Sequence, residues 1–374
     1  MKNLTIKQVR NFLDNKGFNI IKKNKNNFFG KDLKSFYYTF LSSLLVIILF
    51  FSIPGIIEIK NNSILSSKEV QNSSKSNFEK VLDGEVLKKK DNIDDKLNTK
   101  DLFEDVFKLD DLPSDTVRLN APTIEQLFKD TGYNLQDIRK TKLVKPISLS
   151  LLPREMKMIE NVKKRKNLFI KIILPLVIGE NDKIRLERKK LFSILNKNKN
   201  LPSEKKWLKK KFKQYGVVNS DLSTLKIRMD IVPVSLAIAQ AAKETGWGTS
   251  RFALEGNALF GQWTWTGEGI KPAGSNSEDT HKVMKFKILK SSIRAYQRNL
   301  NTHSTYREFR LARADLRDNQ KKLDSILLSN YLDKYAETGE EYVKILKKII
   351  QQNDLTDFDD AKLLPSSIQL KSLI

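Results

Sequence analysis

The pattern of hydrophobic and polar residues divides the chain into an apolar run near its start, a polar stretch, and a long part with helical periodicity. The apolar run covers residues 36–57, which are 22 positions without a charged residue. A helix of about 20 apolar residues spans a bilayer. A cleaved signal peptide is the alternative, but its apolar part is typically only about 7–15 residues long. We therefore predict a single uncleaved transmembrane helix at 36–57.

The charges before this run predict its orientation. Residues 1–35 contain nine Lys and Arg against Asp14 and Asp32. An excess of basic residues marks the cytoplasmic flank of a membrane helix. We therefore expect a cytoplasmic basic tail at 1–35, an anchor in the inner membrane through 36–57, and a remainder that is periplasmic or otherwise extracytoplasmic.

Residues 58–145 lack the pattern of a packed domain. Asn, Ser, Lys and Asp dominate from Glu58 to about Lys100, so this segment buries too little apolar area to offset the entropy of ordering. Residues 101–145 are intermediate, and Thr123–Gln126 has the form of a capping box that opens a helix through Phe128. The prediction for 58–145 is a largely disordered tether.

The next region, 146–230, is basic and shows helical periodicity. Between Arg154 and Asp230 there are 22 Lys and Arg against 8 Asp and Glu. We predict two or three helices that pack against the helix that follows, which ends at Glu244. The charge favours either an anionic partner or a solvated face. Nucleic acid is not an expected partner, because the predicted topology removes this region from the cytoplasm. The eleven-residue apolar run at 168–178 contains Lys171 and Pro175, and predicts a buried helix or helix–turn segment instead of a second span.

A helix from Pro233 to Glu244 carries the first candidate for chemistry. Val234, Ala237, Ile238, Ala241 and Ala242 recur at helical spacing, and Gly246 and Gly248 follow as terminators. A carboxyl at the end of a buried helix, beside Trp247, is partly desolvated, which raises its pKa and suits a general acid. A surface glutamate at a helix end is the alternative.

The segment after Glu244 is rich in glycine and tryptophan. Seven of the fifteen glycines lie between Gly246 and Gly274, together with Trp247, Trp263 and Trp265. Glycine lets backbone approach a ligand closely, and aromatic faces stack on sugar rings. We expect the tryptophans to contact saccharide, with core packing as the alternative.

The cysteine and histidine counts exclude several chemistries. The chain has no cysteine and only His281 and His303. It therefore has neither disulfide nor thiolate chemistry, and a zinc site would need carboxylates to complete it. We predict no metal and no cofactor.

Three ordered segments resemble one family. ETGWGTSRFALEGNALFGQW is similar to the E-S-G-W-G…N-x-F-G signature of the bacterial glucosaminidase domain, a group of lysozyme-like peptidoglycan hydrolases. Residues 285–317 resemble its Bax branch, with N-L-N-T-H-x-x-Y and R-x-x-R-A patterns. Residues 335–346, YAETGEEYVKIL, resemble the Y-x-T segment that closes these domains. The matches cover about 227–350, with weaker similarity from about 152.

The resemblance implies a fold and a set of roles. The expected fold is α+β and predominantly α, a lysozyme-like domain with a small β lobe, behind a single N-terminal transmembrane helix. The core would span 231–350, with a C-terminal tail at 351–374. Glu244 would be the proton donor. The second catalytic group would be Glu278 or Asp279 in the β lobe, or the acetamido group of the substrate, and a solvated turn is the alternative for the two acids.

The remaining matched residues would shape the cleft. Tyr335 would stabilise charge or position water, with a core tyrosine as the alternative. We expect Asn257, Phe260 and Gly261 to form the cleft floor. His303 would contact substrate or fill a hydrogen-bonded structural role.

The expected function is a membrane-anchored peptidoglycan glycoside hydrolase of the endo-β-N-acetylglucosaminidase type. It would cleave β-1,4 bonds of peptidoglycan glycan strands by general-acid catalysis. Two alternatives remain open. A lytic transglycosylase would also use a single glutamate but release an anhydro sugar. A non-catalytic cell-wall-binding protein would keep the cleft without turnover.

Overall fold

The computed structural model describes residues 99–110, 116–264, 269–271 and 282–365. All of them lie in the larger of two compact units, Asn92–Ile374. The predicted span at 36–57 lies outside the described residues. Within the described ranges, no helix combines the length and the apolar composition needed to cross a membrane.

The described part is mostly helical, which confirms the predominantly α class of the α+β prediction. Twelve α-helices occur in the described ranges, and they are numbered here in chain order: α1 (Thr99–Asp110), α2 (Ala121–Asp130), α3 (Leu135–Thr141), α4 (Val162–Leu195), α5 (Pro202–Gln214), α6 (Leu222–Arg228), α7 (Val234–Thr245), α8 (Arg251–Gly256), α9 (Leu289–Thr302), α10 (Arg307–Asp318), α11 (Ser325–Ser329) and α12 (Glu340–Gln352).

Among the described residues, five short strands form two small sheets. β2 (Trp263–Thr264) and β3 (Gly269–Ile270) each pair antiparallel with β4 (Lys282–Met284), in the order β2-β4-β3. This sheet is the small β lobe that was expected after the glycine-rich segment. The other sheet is a parallel pair of β1 (Leu143–Val144) and β5 (Lys362–Leu363), which joins segments more than 200 residues apart.

The helix α4 is the longest element and supplies much of the core. Its apolar run at 168–178 is buried except for Lys171, which is half-buried. This run is therefore a core helix segment, as predicted. Pro175 lies inside the helix and is also buried. The helix packs against α7 and α9. With α5 and α6, it makes three helices in the basic region, within the two or three expected.

The helix α7 is almost entirely buried, with only Lys243 and Glu244 of its twelve residues partly or fully exposed. The helix begins at Val234, one position after the predicted start, and Pro233 is its N-cap. Gly246 ends it in the left-handed conformation, at φ 58°, which glycine adopts without steric cost. The sequence prediction of this helix is therefore correct to within one residue at each end.

The predicted tether is too long at its C-terminal end, because residues 99–110 and 116–145 form α1, α2, α3 and β1. In α1, Val106 packs against Phe286 and Ala295, and Asp105 pairs with Arg298 at 3.1 Å. Burial opposes ionisation of Asp105, but the neighbouring cations and hydrogen bonds lower its pKa to about 2. A few widely spaced contacts with remote helices order this segment, and composition does not reveal them.

Two further expectations need correction. The helix at 121–130 is capped by Asn120, whose side chain accepts from the Thr123 N–H, so Thr123 is not the N-cap. The predicted C-terminal tail also begins too early. Leu355 and Phe358 are fully buried, and β5 pairs with β1. Apolar burial and strand pairing therefore extend the domain to at least residue 363.

Candidate functional site

Glu244 lies at the C-terminal end of α7 and is half-buried. Gly261 lies opposite its carboxylate. A Cβ added to Gly261 would be 3.4 Å from Oε2 of Glu244, and Gly261 has a φ of +60°, which disfavours any other residue. The glycine therefore leaves open the space in front of the carboxylate, where a ligand atom needs to approach.

Burial raises the pKa of Glu244 above its ordinary value. A hydrogen bond from Tyr342 and the charge of Lys243 act in the opposite direction, but they are weaker. Within the described residues, these two are the groups that oppose the effect of burial. A carboxyl with a raised pKa keeps its proton closer to neutral pH, which is the property that a general acid needs.

A buried hydrogen-bond chain leads to Glu244. The Tyr296 hydroxyl donates to Oε1 of Gln240 at 2.6 Å, and Nε2 of Gln240 donates to the Tyr342 hydroxyl oxygen at 3.0 Å. Gln240 and Tyr296 are fully buried, and Tyr342 is nearly so. Because Gln240 occupies the Tyr342 oxygen as a donor, the Tyr342 proton is directed at the Glu244 carboxylate.

Tyr335 belongs to the same aromatic cluster. Its ring stacks on Tyr342 with centroids 5.5 Å apart, and its hydroxyl donates to the Phe260 carbonyl at 2.9 Å. Burial raises its pKa well above the ordinary value, so the phenol stays neutral. The hydrogen bond ties Tyr335 to the backbone just before Gly261, and so to the position of the cleft floor.

Two residues expected in the cleft floor are buried behind it. Asn257 is 4 % exposed, and its Nδ2 donates to the carbonyls of Phe286 and Lys287. Phe260 is 2 % exposed and stacks on Tyr296 at a centroid distance of 3.8 Å. Neither is placed to contact a substrate directly. They hold the loop that brings Gly261 to Glu244.

The tryptophans differ in how far the structure describes them. Trp247 is half-buried, its ring meets Phe169 edge-on at 5.9 Å, and Nζ of Lys166 lies 4.9 Å from its ring centroid. The backbone of Trp263 forms β2, but its side chain lies outside the described part. The candidates Trp265, Glu278 and Asp279 also lie outside the described residues.

His303 ends α9 and is exposed. Its Nδ1 accepts from the Thr305 N–H at 3.3 Å, and its ring lies 5.8 Å from that of Tyr306. Tyr306 in turn lies 5.9 Å from Tyr335. The position matches the structural alternative for His303, which caps a turn at the edge of the aromatic cluster.

Sequence reasoning missed Gln240, Tyr296 and Tyr342. Gln240 precedes Glu244 by four residues, so both lie on one face of α7, and this spacing was available in the sequence. Tyr342 is the second tyrosine of the segment 335–346 noted above. Tyr296 had no local signal, because its role depends on a contact with a helix 56 residues away.

In the part of the chain that the structure describes, no group of His, Asp and Glu is arranged to hold a metal ion. The site has one half-buried acid at a helix end, a glycine opposite it, and a neutral tyrosine cluster behind it. Together with the mostly helical fold and small β lobe, these features fit a glycosidase-like hydrolase domain.

Comparisons with known proteins identify the family. Residues 220–355 match the Glucosaminidase family model, described as mannosyl-glycoprotein endo-beta-N-acetylglucosaminidase. Protein bax of Escherichia coli (strain K12) is 33% identical over 195 residues, which cover 50% of this chain and 70% of that protein. No solved structure matches the chain. The chain belongs to the Bax-type glucosaminidase family, and it is a glycoside hydrolase-like enzyme.

Proposed function

We propose that the protein is an endo-β-N-acetylglucosaminidase-type hydrolase that cleaves β-1,4 bonds in peptidoglycan glycan strands, with Glu244 as the general acid. The observation that carries this proposal is the half-buried Glu244, whose pKa burial raises, facing Gly261 at the end of a rigid helix. The protonated carboxyl would donate to the glycosidic oxygen as the bond to the sugar carbon breaks.

A second group must stabilise or attack the oxocarbenium-like carbon that forms. Glu278 and Asp279 remain the candidates, with the acetamido group of the substrate as the alternative. A retaining pair of carboxyls is separated by about 5–5.5 Å and an inverting pair by about 6.5–9.5 Å. Kinetics of the double variant Glu278→Gln with Asp279→Asn separates these carboxylates from the other candidates, because near-normal turnover would leave the role to the substrate or to Tyr335.

The test of the acid is Glu244→Gln, which keeps the shape but cannot donate a full proton. General acid–base catalysis contributes about 10²–10⁴-fold, so strand cleavage should fall by at least about 10². Glu255→Gln, an exposed change on the neighbouring α8, is the matched control and should retain parental cleavage. Parental cleavage by Glu244→Gln would refute the assignment.

The product of the parent chain separates the two reaction types. A new reducing end indicates hydrolysis, and an anhydro end indicates a transglycosylase.

The proposed location is outside the cytoplasmic membrane, with residues 36–57 as the anchor. The support is the charge-free run and the basic excess before it. A reporter fused after Ile374 should be active only outside the cytoplasm. Cytoplasmic activity of the fusion would contradict both this location and access to a peptidoglycan substrate.

A further inference from the structure

Two adjoining cavities lie along the first turns of α4. Each has a volume of about 450 Å³, and both are lined by Lys163 and Asn167. One is completed by residues of α2 and the α4 start, and the other by Arg139 and the end of α12. We call the combined feature the lysine groove and define it by its cations Arg139, Lys163, Lys164, Lys166 and Lys171.

The lysine groove has an excess of positive charge. Its five cations face two carboxylate residues in the lining, Glu125 and Asp354. Lys164 pairs with Glu125 at 3.0 Å, and Arg139 pairs with Asp357 at 2.8 Å. Among the described residues, no carboxylate lies within ion-pair distance of the other three lysines. The charge of these three lysines is therefore not neutralised by a carboxylate of the described residues.

One groove cation, Lys166, contacts the turn that follows Glu244. Nζ of Lys166 lies 4.9 Å from the ring centroid of Trp247. Trp247 is three residues after Glu244, so their Cα atoms are at most about 11 Å apart. Lys166 therefore links the lysine groove, through Trp247, to the turn that follows Glu244.

The groove also offers polar and apolar surface. Asn161 and Asn167 present side-chain amides, and Phe128 and Leu168 contribute apolar lining. Amide groups can pair with a peptide backbone, and the apolar lining suits small side chains. Residues of α2, α3 and α4 form most of this surface, and they lie outside the region matched by the family model.

We propose that the lysine groove binds the carboxylates of the short peptides that branch from peptidoglycan strands, a substrate class that rests on the proposed function. A peptide of four residues spans about 13–14 Å when extended. This length exceeds the rise of about 12 Å along α4 from Lys163 to Lys171, so one peptide can lie along the groove lysines. Charge complementarity selects strands that carry their peptides over strands from which an amidase has removed them.

The test measures binding instead of cleavage, using the full chain with Glu244→Gln so that strands stay intact. The probes are soluble glycan strands with tetrapeptides and the same strands after amidase treatment. The groove variant carries Lys163→Gln, Lys166→Gln and Lys171→Gln. The control carries Lys205→Gln, Lys206→Gln and Lys209→Gln on α5, which removes the same charge from exposed positions outside the groove.

The groove variant should bind peptide-bearing strands about tenfold more weakly, the combined effect of three modest ion pairs. Its binding of peptide-free strands should match that of the α5 control. The preference for peptide-bearing strands should also shrink near 1 M salt, where the Debye length falls to about 3 Å. If the triple variant does not fold, the single change Lys163→Gln, at an exposed position, should also weaken the binding of peptide-bearing strands.

Two outcomes would overturn the proposal. Equal weakening for both kinds of strand would indicate a general charge effect. An unchanged preference for peptides, with lost binding to phosphatidylglycerol vesicles, would assign the groove to a lipid surface. Cleavage by the parent chain tests the proposed function separately. If the parent chain cleaves strands but the groove shows no preference for peptides, the groove proposal fails and the proposed function stands.

Discussion

At the residue scale, the chemistry depends on how the pKa of Glu244 is set. Burial raises it, and the hydrogen bond from Tyr342 lowers it. The direction of that hydrogen bond is fixed by Gln240, which donates to Tyr342 and accepts from Tyr296. Each hydrogen bond in such a chain polarises the next, so the chain acts on the carboxylate as a unit.

Tyr342→Phe should therefore change the pH dependence of catalysis. Loss of the hydrogen bond removes a stabiliser of the carboxylate, so the pKa of Glu244 rises further. A general acid is active while protonated, and its activity is lost as the pH rises through its pKa. The alkaline limb of the kcat/KM profile should shift to higher pH in this variant.

The matched control is Tyr133→Phe, which also removes a buried tyrosine hydrogen bond, to the carbonyl of Lys171. Each change costs about 1 kcal/mol of stability, so both variants should be destabilised by a similar amount. Only Tyr342→Phe should move the alkaline limb. An unmoved limb, or a shift to lower pH, would show that Tyr342 does not act on the titrating group.

Part of this arrangement was predictable from the sequence. The position of Glu244 at a buried helix end follows from the Ala-rich period and from Gly246. Its partners come from α9 and α12, and neither helix has a local pattern that points to α7. Asn257 and Phe260 show the converse case, because their motif was recognised but their burial behind the cleft floor was visible only in three dimensions.

At the element scale, α7 is held at its N-terminus by a distant carboxylate. Asp359 accepts from the Ser235 N–H at 2.8 Å and from the Ser235 hydroxyl at 2.7 Å. The pKa of Asp359 is raised from 3.8 to about 6, mainly because the carboxyl is buried. The charge of Asp360 also raises this pKa, and the hydrogen bonds from Ser235 lower it. This contact spans 124 residues of sequence, so no local capping signal could predict it.

Asp359→Asn should alter the pH dependence of stability. Between about pH 4 and pH 6 the folded chain binds more protons than the unfolded chain, so stability falls as the pH rises through this window. Asparagine keeps an acceptor for the Ser235 N–H and carries no charge. The thermal midpoint of the variant, relative to the parent, should therefore be more favourable at pH 7.5 than at pH 4.

Differential scanning calorimetry at several pH values checks this prediction. Asp318→Asn is the control, because Asp318 is exposed and pairs with Lys226 at the surface. An exposed pair of this kind contributes little to stability. A difference between Asp359→Asn and the parent that stays constant from pH 4 to pH 7.5 would show that Asp359 ionises normally in the folded chain.

At the scale of the whole described domain, the segments before and after the region that matches the family model contact each other. β1 pairs with β5, and Arg139 binds the Asp357 carboxylate and the Asn353 carbonyl. The Arg139 guanidinium also lies 4.6 Å from the centroid of the Phe358 ring. Residues expected to be tether and tail therefore complete the fold around the catalytic core. Their sequences lack long periodic runs, because each contributes only a few buried positions.

A chain that ends at Leu355, where the family match ends, should not fold stably. It lacks Phe358, which is fully buried, and also Asp359 and β5. Truncation of a buried phenylalanine alone costs about 3–5 kcal/mol, and the total stability of a domain is about 5–15 kcal/mol. Loss of the helix cap and of the strand pair adds to this cost.

A chain that ends at Pro365 keeps all of these contacts and is the control. Circular dichroism should show cooperative thermal unfolding for the chain that ends at Pro365 and little or none for the shorter one. Equal midpoints for the two chains would mean that the closure of β1 on β5 is not needed to stabilise the catalytic core.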